Sequence, residues 1–183
     1  MLHPMQKSPD DLFAALDALG IAYSTVDHPP LFTVDESRAV VAQIPGGHTK
    51  NLFLRDKKGA IFLVVALQDA EIDLKGLHRL LSASGRFSFG SAELLREVWG
   101  VEPGSVTPFG AINDSQGRVT VVLDAAMMRH ETLNYHPLIN TMTTAIARDD
   151  LVRFLRWTGH EPRIEPVSGA AGESVGRLHS QAG

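Results

Sequence analysis

The sequence predicts a mixed α+β domain, and three observations carry that expectation. Segments with helical spacing of apolar residues and segments with strand character are interspersed, without the regular strand–helix alternation of a doubly wound sheet. Ile61-Phe62-Leu63-Val64-Val65 is apolar throughout, the mark of a strand buried on both faces. Serine or aspartate stands just ahead of several apolar helical stripes, where capping side chains belong. With 183 residues the chain is long enough for one domain with a real core and short for two.

The elements follow in order. Ser8-Pro9-Asp10-Asp11 starts a helix: a capping serine, proline at the first helical position and acids in the first turn. Leu12, Phe13, Leu16 and Leu19 share one face, and Gly20 stops it. Ala22 to Val26 reads as a short strand, and His28-Pro29-Pro30 must be extended or turned, since a residue before proline avoids the helical region. Thr33 with Glu36 forms a capping box ahead of a second short helix. Asn51 to Arg55 and Ala60 to Ala66 are strands joined as a hairpin by Asp56-Lys57-Lys58-Gly59. Asp73 caps a helix carrying Leu74, Leu77, Leu80 and Leu81; Ser91 caps another with Leu94, Leu95 and Val98, ending at Gly100. Val119 to Leu123 is a buried strand after the turn Asp114-Ser115-Gln116-Gly117. Thr141 to Ala147 is a strand, and Asp149 or Asp150 opens a last helix with Leu151, Val152, Phe154 and Leu155. From about Ser168 the composition shifts to Gly, Ala and Ser, which assigns 1–166 to the domain and 167–183 to a disordered tail.

Composition narrows the functional classes. Cysteine is absent, which removes disulfides, thiolate zinc sites and a cysteine nucleophile, and fits a reducing compartment. No run of about 18 apolar residues predicts a membrane span, and the start lacks the apolar core of a signal peptide. A cytoplasmic protein with no membrane partner is therefore expected. Lys and Arg number 17 against 21 Asp and Glu, a formal charge of −4, which argues against coating nucleic acid through bulk charge. A local grip on one RNA end remains open. Lys50, Arg55, Lys57 and Lys58 form one basic cluster and Arg153, Arg156 and Arg163 another. Each is either a solvated face or such a grip.

Several catalytic signatures are absent. There is no G-x-S-x-G elbow, the glycines of Gly46-Gly47-His48-Thr49-Lys50 lack phosphate-loop spacing, and His130, Glu131 and His136 do not form H-E-x-x-H. Neither a metal nor a cofactor is expected. What remains is Gly104-Ser105-Val106-Thr107-Pro108-Phe109-Gly110, between a helix and a strand. It is either an ordinary connector or a loop whose backbone N–H groups receive an anion or a developing oxyanion. Lys50 follows two glycines and opens an apolar strand, as a solvated strand end or a functional cation. His130 and His136 flank Asn134-Tyr135, as structural or catalytic groups.

These pieces occur in a familiar order. His48-Thr49-Lys50-Asn51-Leu52-Phe53-Leu54-Arg55-Asp56 resembles the lysine-bearing strand of the YbaK-like aminoacyl-tRNA editing domains. Gly104 to Gly110 resembles that family's G-x-x-x-P loop, and His136-Pro137-Leu138-Ile139-Asn140-Thr141 resembles the segment that closes its site. The wording is most similar to the freestanding prolyl-tRNA editing proteins, and the likeness spans Ser8 to Pro166.

The resemblance implies a largely antiparallel curved sheet or barrel-like core with surrounding helices. It implies hydrolysis, in trans, of the aminoacyl ester at the acceptor end of mischarged proline tRNA, with alanine as the amino acid. It assigns Lys50, Gly104, Ser105, Pro108, Gly110, His130 and His136 to the catalytic set. Leu31, Val34, Thr49, Phe109 and Asn140 are expected in the substrate pocket, with Leu31 and Val34 equally readable as plain core. The resemblance also admits a transient association with a synthetase. Two other readings stay open: a cysteine- or serine-specific deacylase of the same fold, and a tRNA-binding module without turnover.

Overall fold

The structure is a computed structural model that describes residues 6–30, 38–39 and 42–169. Helix α1 (Pro9–Ala18) opens on a reciprocal cap. The Asp11 N–H donates to Ser8 Oγ at 3.2 Å, and the Ser8 N–H donates to an Asp11 carboxylate oxygen at 2.9 Å. Leu12 and Leu16 turn inward from it. Strand β1 (Tyr23–Asp27) follows. The capping box expected at Thr33 and Glu36 lies outside the described residues, as do Leu31 and Val34.

Strands β2 (Gly47–Arg55) and β3 (Ile61–Leu67) form the expected hairpin. β2 begins four residues earlier than the apolar pattern indicates, so Lys50 lies within the strand rather than at its mouth. A single-turn helix α2 (Leu77–Leu80) is capped by Gly76 without a side-chain bond, and Asp73 is not its cap. The Asp73 carbonyl instead accepts from the Gly76 N–H, closing a turn. Strand β4 (Ser88–Phe89) precedes α3 (Ala92–Trp99), which starts on the Ser91 cap and ends at left-handed Gly100 as expected. Short 3-10 turns at Pro103–Ser105 and Pro108–Asn113 lead to β5 (Val119–Asp124). Then come β6 (Thr132–Tyr135), β7 (Met142–Ala147), α4 (Arg148–Trp157) and β8 (Arg163–Glu165).

The strands make one sheet in the order β1-β7-β6-β2-β3-β5-β8, with β4 on β2. The pairs β1–β7, β2–β3, β2–β4 and β6–β7 are antiparallel, whereas β2–β6, β3–β5 and β5–β8 are parallel. The sheet is mixed and ends at β1 on one side and β8 on the other, so it does not close into a barrel.

Alternation along the central strands feeds two cores. Phe53, Leu63, Val65, Val121 and Leu123 face α1, α3 and α4 through Leu12, Leu95, Trp99 and Phe154. Leu54, Phe62, Val64 and Val122 face Leu77 and Leu81 on the other side. Each fully buried leucine or phenylalanine contributes about 1.5–3 kcal/mol. Val167 joins the second core, and Ser168 hydrogen-bonds the buried Asp124, so packing continues past residue 166. No helix among the described residues is long and apolar enough to cross a membrane.

Candidate functional site

β2 is paired with β3 along Thr49 to Arg55. On its other edge it meets β6 only at Gly47 and His48, and β4 only at Leu54 and Arg55. The Gly90 N–H, just past β4, donates to the Phe53 carbonyl at 2.9 Å, so on this edge residues 49–52 have no strand beside them among the described residues. The sheet therefore carries a split, and its floor is the stretch that holds Thr49, Lys50 and Asn51.

Side chains stitch the upper end of the split. Thr49 Oγ1 donates to the Asn134 carbonyl at 2.6 Å. Asn134 Nδ2 donates to the carbonyls of Pro45 and Gly47 at 3.0 and 3.2 Å. His136 follows directly on β6, whose pairing with β2 ends at His48–Asn134. His136 Nδ1 meets the Met142 carbonyl at 2.9 Å. Burial pushes its imidazole below the ordinary histidine range; the Met142 carbonyl opposes this, and the nearby His28 charge reinforces it. His28 is itself held by Thr143 Oγ1 at 2.8 Å.

Two groups are conspicuous by what they lack. The amide oxygens of Asn51 and Asn134 are buried with no hydrogen-bond partner among the described residues. A buried acceptor left empty costs about 1–3 kcal/mol, so each is poised to accept from a ligand or a water. Asn51 is the residue the motif analysis passed over. A polar side chain inside an otherwise apolar strand, directly after Lys50, was the available signal.

Alternation separates Lys50 from Asn51. Lys50 shares a face with Leu52 and Leu54, and its Nζ donates to the Ala70 carbonyl on that side. Thr49 and Asn51 share the face of Phe53, where Phe109 packs. The loop from Gly104 to Gly110 thus docks on the Asn51 side of the sheet, not the Lys50 side.

The loop divides into two parts. Gly104 is exposed, and a Cβ there would stand 3.3 Å from Asn140 Nδ2, so the loop tip abuts the segment after His136. Ser105 is buried, with its N–H given to the Glu102 carbonyl. Pro108 is buried, and Phe109 is fully buried, edge-on to Tyr135 and Phe154; it is a core residue, because those rings leave it no exposed surface. A Cβ at Gly110 would lie 2.1 Å from Trp99 Nε1, so glycine there serves close packing. The N–H groups of Ser105, Phe109 and Gly110 are all taken by acceptors within the chain, which removes three of the loop's donors from oxyanion duty.

The segment from His136 to Thr141 contains Leu138 at φ +72°, a left-handed residue that is not glycine. Such a conformation costs about 1–2 kcal/mol and persists only where packing fixes it; Leu138 is buried. His130 is exposed at the end of a 3-10 turn, with its ring against Gly47. The structure therefore brings Thr49, Lys50, Asn51, Asn134 and His136 to the split, and Gly104 to Asn140 beside it. It leaves Ser105, Pro108, Phe109 and Gly110 behind as support.

The two basic clusters separate as well. Arg153, Arg156 and Arg163 are each ion-paired, to Asp150, Glu161 and Glu165, and do not form a free cationic surface. Among the described residues, no group of three or more His, Cys, Asp or Glu side chains converges as a metal site.

Residues 28–154 match the model of the aminoacyl-tRNA editing domain family. The chain is 37% identical over 162 residues to prolyl-tRNA synthetase associated domain-containing protein 1 of Bos taurus, covering 84% of this chain and 94% of that protein. It is 34% identical over 150 residues to prolyl-tRNA editing protein ProX of Acetoanaerobium sticklandii, covering 81% and 91%. A solved structure described as a candidate trans-editing enzyme for prolyl-tRNA synthetase superposes with a TM-score of 0.65 at 20% identity, over 88% of this chain and 98% of that one. That likeness is one of fold.

Proposed function

Because this chain belongs to the aminoacyl-tRNA editing domain family, we propose that it deacylates mischarged proline tRNA in trans, with alanine as the amino acid removed. The observation that carries the reading is the split beside β2. Along it lie the Lys50 ammonium on one face, the unsatisfied buried amide oxygens of Asn51 and Asn134, and, just past β6, a histidine of lowered basicity. The family name supplies the substrate class, and the names of the two relatives point to the proline tRNA.

The chemistry asks little of the protein. A water oxygen adds to the ester carbonyl, the bond to the ribose oxygen breaks, and that oxygen leaves with a proton. An aminoacyl ester is activated, so positioning and charge stabilisation suffice. In this reading Lys50 holds the terminal nucleotide or its phosphate. Asn51 accepts from the substrate amine or the attacking water. His136, kept neutral by burial, orients polar groups rather than adding charge. Gly104 lets the terminal ribose approach the backbone closely. The vicinal hydroxyl of the tRNA helps place the water, in keeping with the lack of a dedicated protein base. Selectivity is steric, with Leu31 and Val34 as walls that admit alanine and exclude the proline ring. A synthetase cannot reject a smaller side chain by size, which is why a second and smaller sieve is useful.

Turnover tests the reading directly. The protein is given proline tRNA charged with alanine, cysteine, serine or proline, and ester loss is followed. Alanine should be released fastest and proline should be spared. Loss of cysteine or serine in preference would reassign the amino acid. No hydrolysis above the buffer rate would leave a binding module and end the deacylase reading.

A further inference from the structure

The molecule is acidic overall, yet four of its cations without an acidic partner cluster, while Lys7, Lys75, Arg79 and Arg129 stand exposed elsewhere. Among the described residues, the arginines in ion pairs with acids are Arg96, Arg118, Arg148, Arg153, Arg156 and Arg163, all in the second half of the chain. Arg55, Lys57, Lys58 and Arg86 are exposed and have no acidic partner among the described residues. They sit at one place. Arg55, Lys57 and Lys58 belong to the β2–β3 hairpin tip, and Arg86 to the segment that runs alongside it into β4.

The two segments are welded together. Arg55 pairs with Ser88, and the Lys57 N–H donates to the Ser84 carbonyl at 2.9 Å. The Lys57 side-chain carbons lie over Gly85, where a Cβ would stand 2.7 Å from Lys57 Cδ. The single acid at the tip, Asp56, is buried and turned inward. It accepts from the N–H groups of Lys58, Ala60 and Ser84, each at 2.9 Å. The tip thus presents cations outward and hides its one carboxylate.

An aromatic ring completes the patch. Phe89 is 64% exposed, the most exposed of the large apolar side chains among the described residues. It pairs with Leu54, and directly paired residues share a face, so Phe89 stands on the Lys50 side of the sheet. Leu54 lies four residue steps along the strand from Lys50, about 14 Å at the usual rise.

Unpaired cations around an exposed aromatic ring match single-stranded nucleic acid, whose phosphates the cations meet and whose bases stack on the ring. We propose that the hairpin tip and the 84–89 segment form the surface that receives the acceptor arm of the tRNA. Arg55, Lys57, Lys58 and Arg86 hold backbone phosphates near the end of the duplex. Phe89 stacks on an unpaired base of the 3′ overhang as it runs towards Lys50. This surface rests on the deacylase reading for its substrate, but its binding is measured without turnover.

The test uses Lys57→Glu/Lys58→Glu/Arg86→Glu and, separately, Phe89→Ala in the full chain. Should the reversals disturb folding, Lys57→Gln/Lys58→Gln/Arg86→Gln keeps the side-chain carbons over Gly85 and removes only charge. Binding of uncharged proline tRNA is measured by fluorescence anisotropy across a salt series. Each lost phosphate contact should reduce the salt slope by about 0.7–0.9. The triple variants should therefore lose about two to three from that slope and bind at least tenfold more weakly at low salt. Phe89→Ala should weaken binding with little change in slope. On alanyl proline tRNA the triple variants should show raised KM, while hydrolysis of 3′-alanyl-adenosine, which has no stem, should match the unmodified protein. Unchanged affinity and slope in the triple variants would overturn the proposal, as would equal loss of turnover on alanyl-adenosine. If the unmodified protein binds tRNA through this patch but cleaves neither ester, the surface stands and the deacylase reading falls.

Discussion

His28 and His136 face each other across the end of the sheet, with ring centroids 6.1 Å apart and planes tilted by 56°. One ring is held by Thr143 on β7, the other by the Met142 carbonyl next to it. Burial discourages protonation of His136, and the nearby His28 charge adds to it.

That relationship sets a pH dependence. The folded-state pKa of His136 lies below its ordinary value of 6.5, so between the two values the unfolded chain binds more protons. The stability this group contributes is present above pH about 6.5 and is lost as pH falls through the folded pKa. Urea unfolding at a series of pH values from 7 down to 5 should show that loss, and His136→Asn should flatten it. His28→Gln should move the His136 titration upward, as read from its ring proton resonances. An unmoved titration would show that the two rings are not electrostatically linked.

Lys50→Ala should remove most deacylation while the protein stays folded. Loss of a positioning contact costs on the order of a hundredfold in rate. Stability should change little, since the ammonium is only partly buried and bonds a single carbonyl. Single-turnover kinetics beside a circular dichroism melt separates the two effects. Near-normal turnover would take Lys50 out of the site.

Asn51→Ala offers a sharper contrast. It removes the orphaned amide oxygen on the loop side of the sheet, so it should lower kcat without weakening tRNA affinity. Because that oxygen has no partner in the fold, stability should be unchanged or slightly improved. A marked fall in melting temperature would mean the amide is structural.

Asp56→Asn should loosen the hairpin. The amide end donates where the carboxylate accepts, facing the N–H groups of Lys58, Ala60 or Ser84, at a cost of about 1–3 kcal/mol. Burial raises the Asp56 pKa, but the backbone donors outweigh it and hold the group below its ordinary 3.8. Its contribution is therefore full above pH about 4 and fades as pH falls through the folded value. Denaturation at pH 3 and pH 6 should give a gap between unmodified protein and variant that narrows in acid.

The size filter makes a separate claim. If Leu31 and Val34 are walls, Leu31→Ala or Val34→Ala should speed release of larger aminoacyl groups relative to alanine, with less loss on alanine than Lys50→Ala causes. A chemical filter would instead depend on the secondary amine of proline. Leucine charged on the proline tRNA separates the two: a steric pocket spares it. Its rapid release by the unmodified protein would sink the steric model.

Local signals in the sequence translated well into structure. The Ser8 and Ser91 caps, the Gly100 stop and the apolar strand from Ile61 are short-range devices, and each lies where its chemistry requires. Strand β6 escaped notice because Thr132 to Tyr135 is polar at Asn134 and is held by parallel pairing to a strand 85 residues away, as the Thr49–Asn134 bond records. Placing the start of β2 at Asn51 hid the alternation that puts Lys50 and Asn51 on opposite faces. The pairing of Arg153, Arg156 and Arg163 was legible in principle, since their partners lie within five residues. The burial of Phe109 and Gly110 was not, because it depends on Trp99, Tyr135 and Phe154 arriving from three other elements.

Backbone hydrogen bonding joins the half-sheet β1-β7-β6 to the half-sheet of β2, β3, β5 and β8 through two residue pairs, Gly47–Leu133 and His48–Asn134. Mechanically this is a perforation. A force that separates the halves is carried by that short ladder and by the Thr49 and Asn134 stitches, while the long β2–β3 and β3–β5 ladders stay slack. Amide protons along the seam should exchange before those of β3 and β5. The proposed site lies at the end of this perforation, so any yielding of the sheet widens or narrows the site while both cores keep their packing.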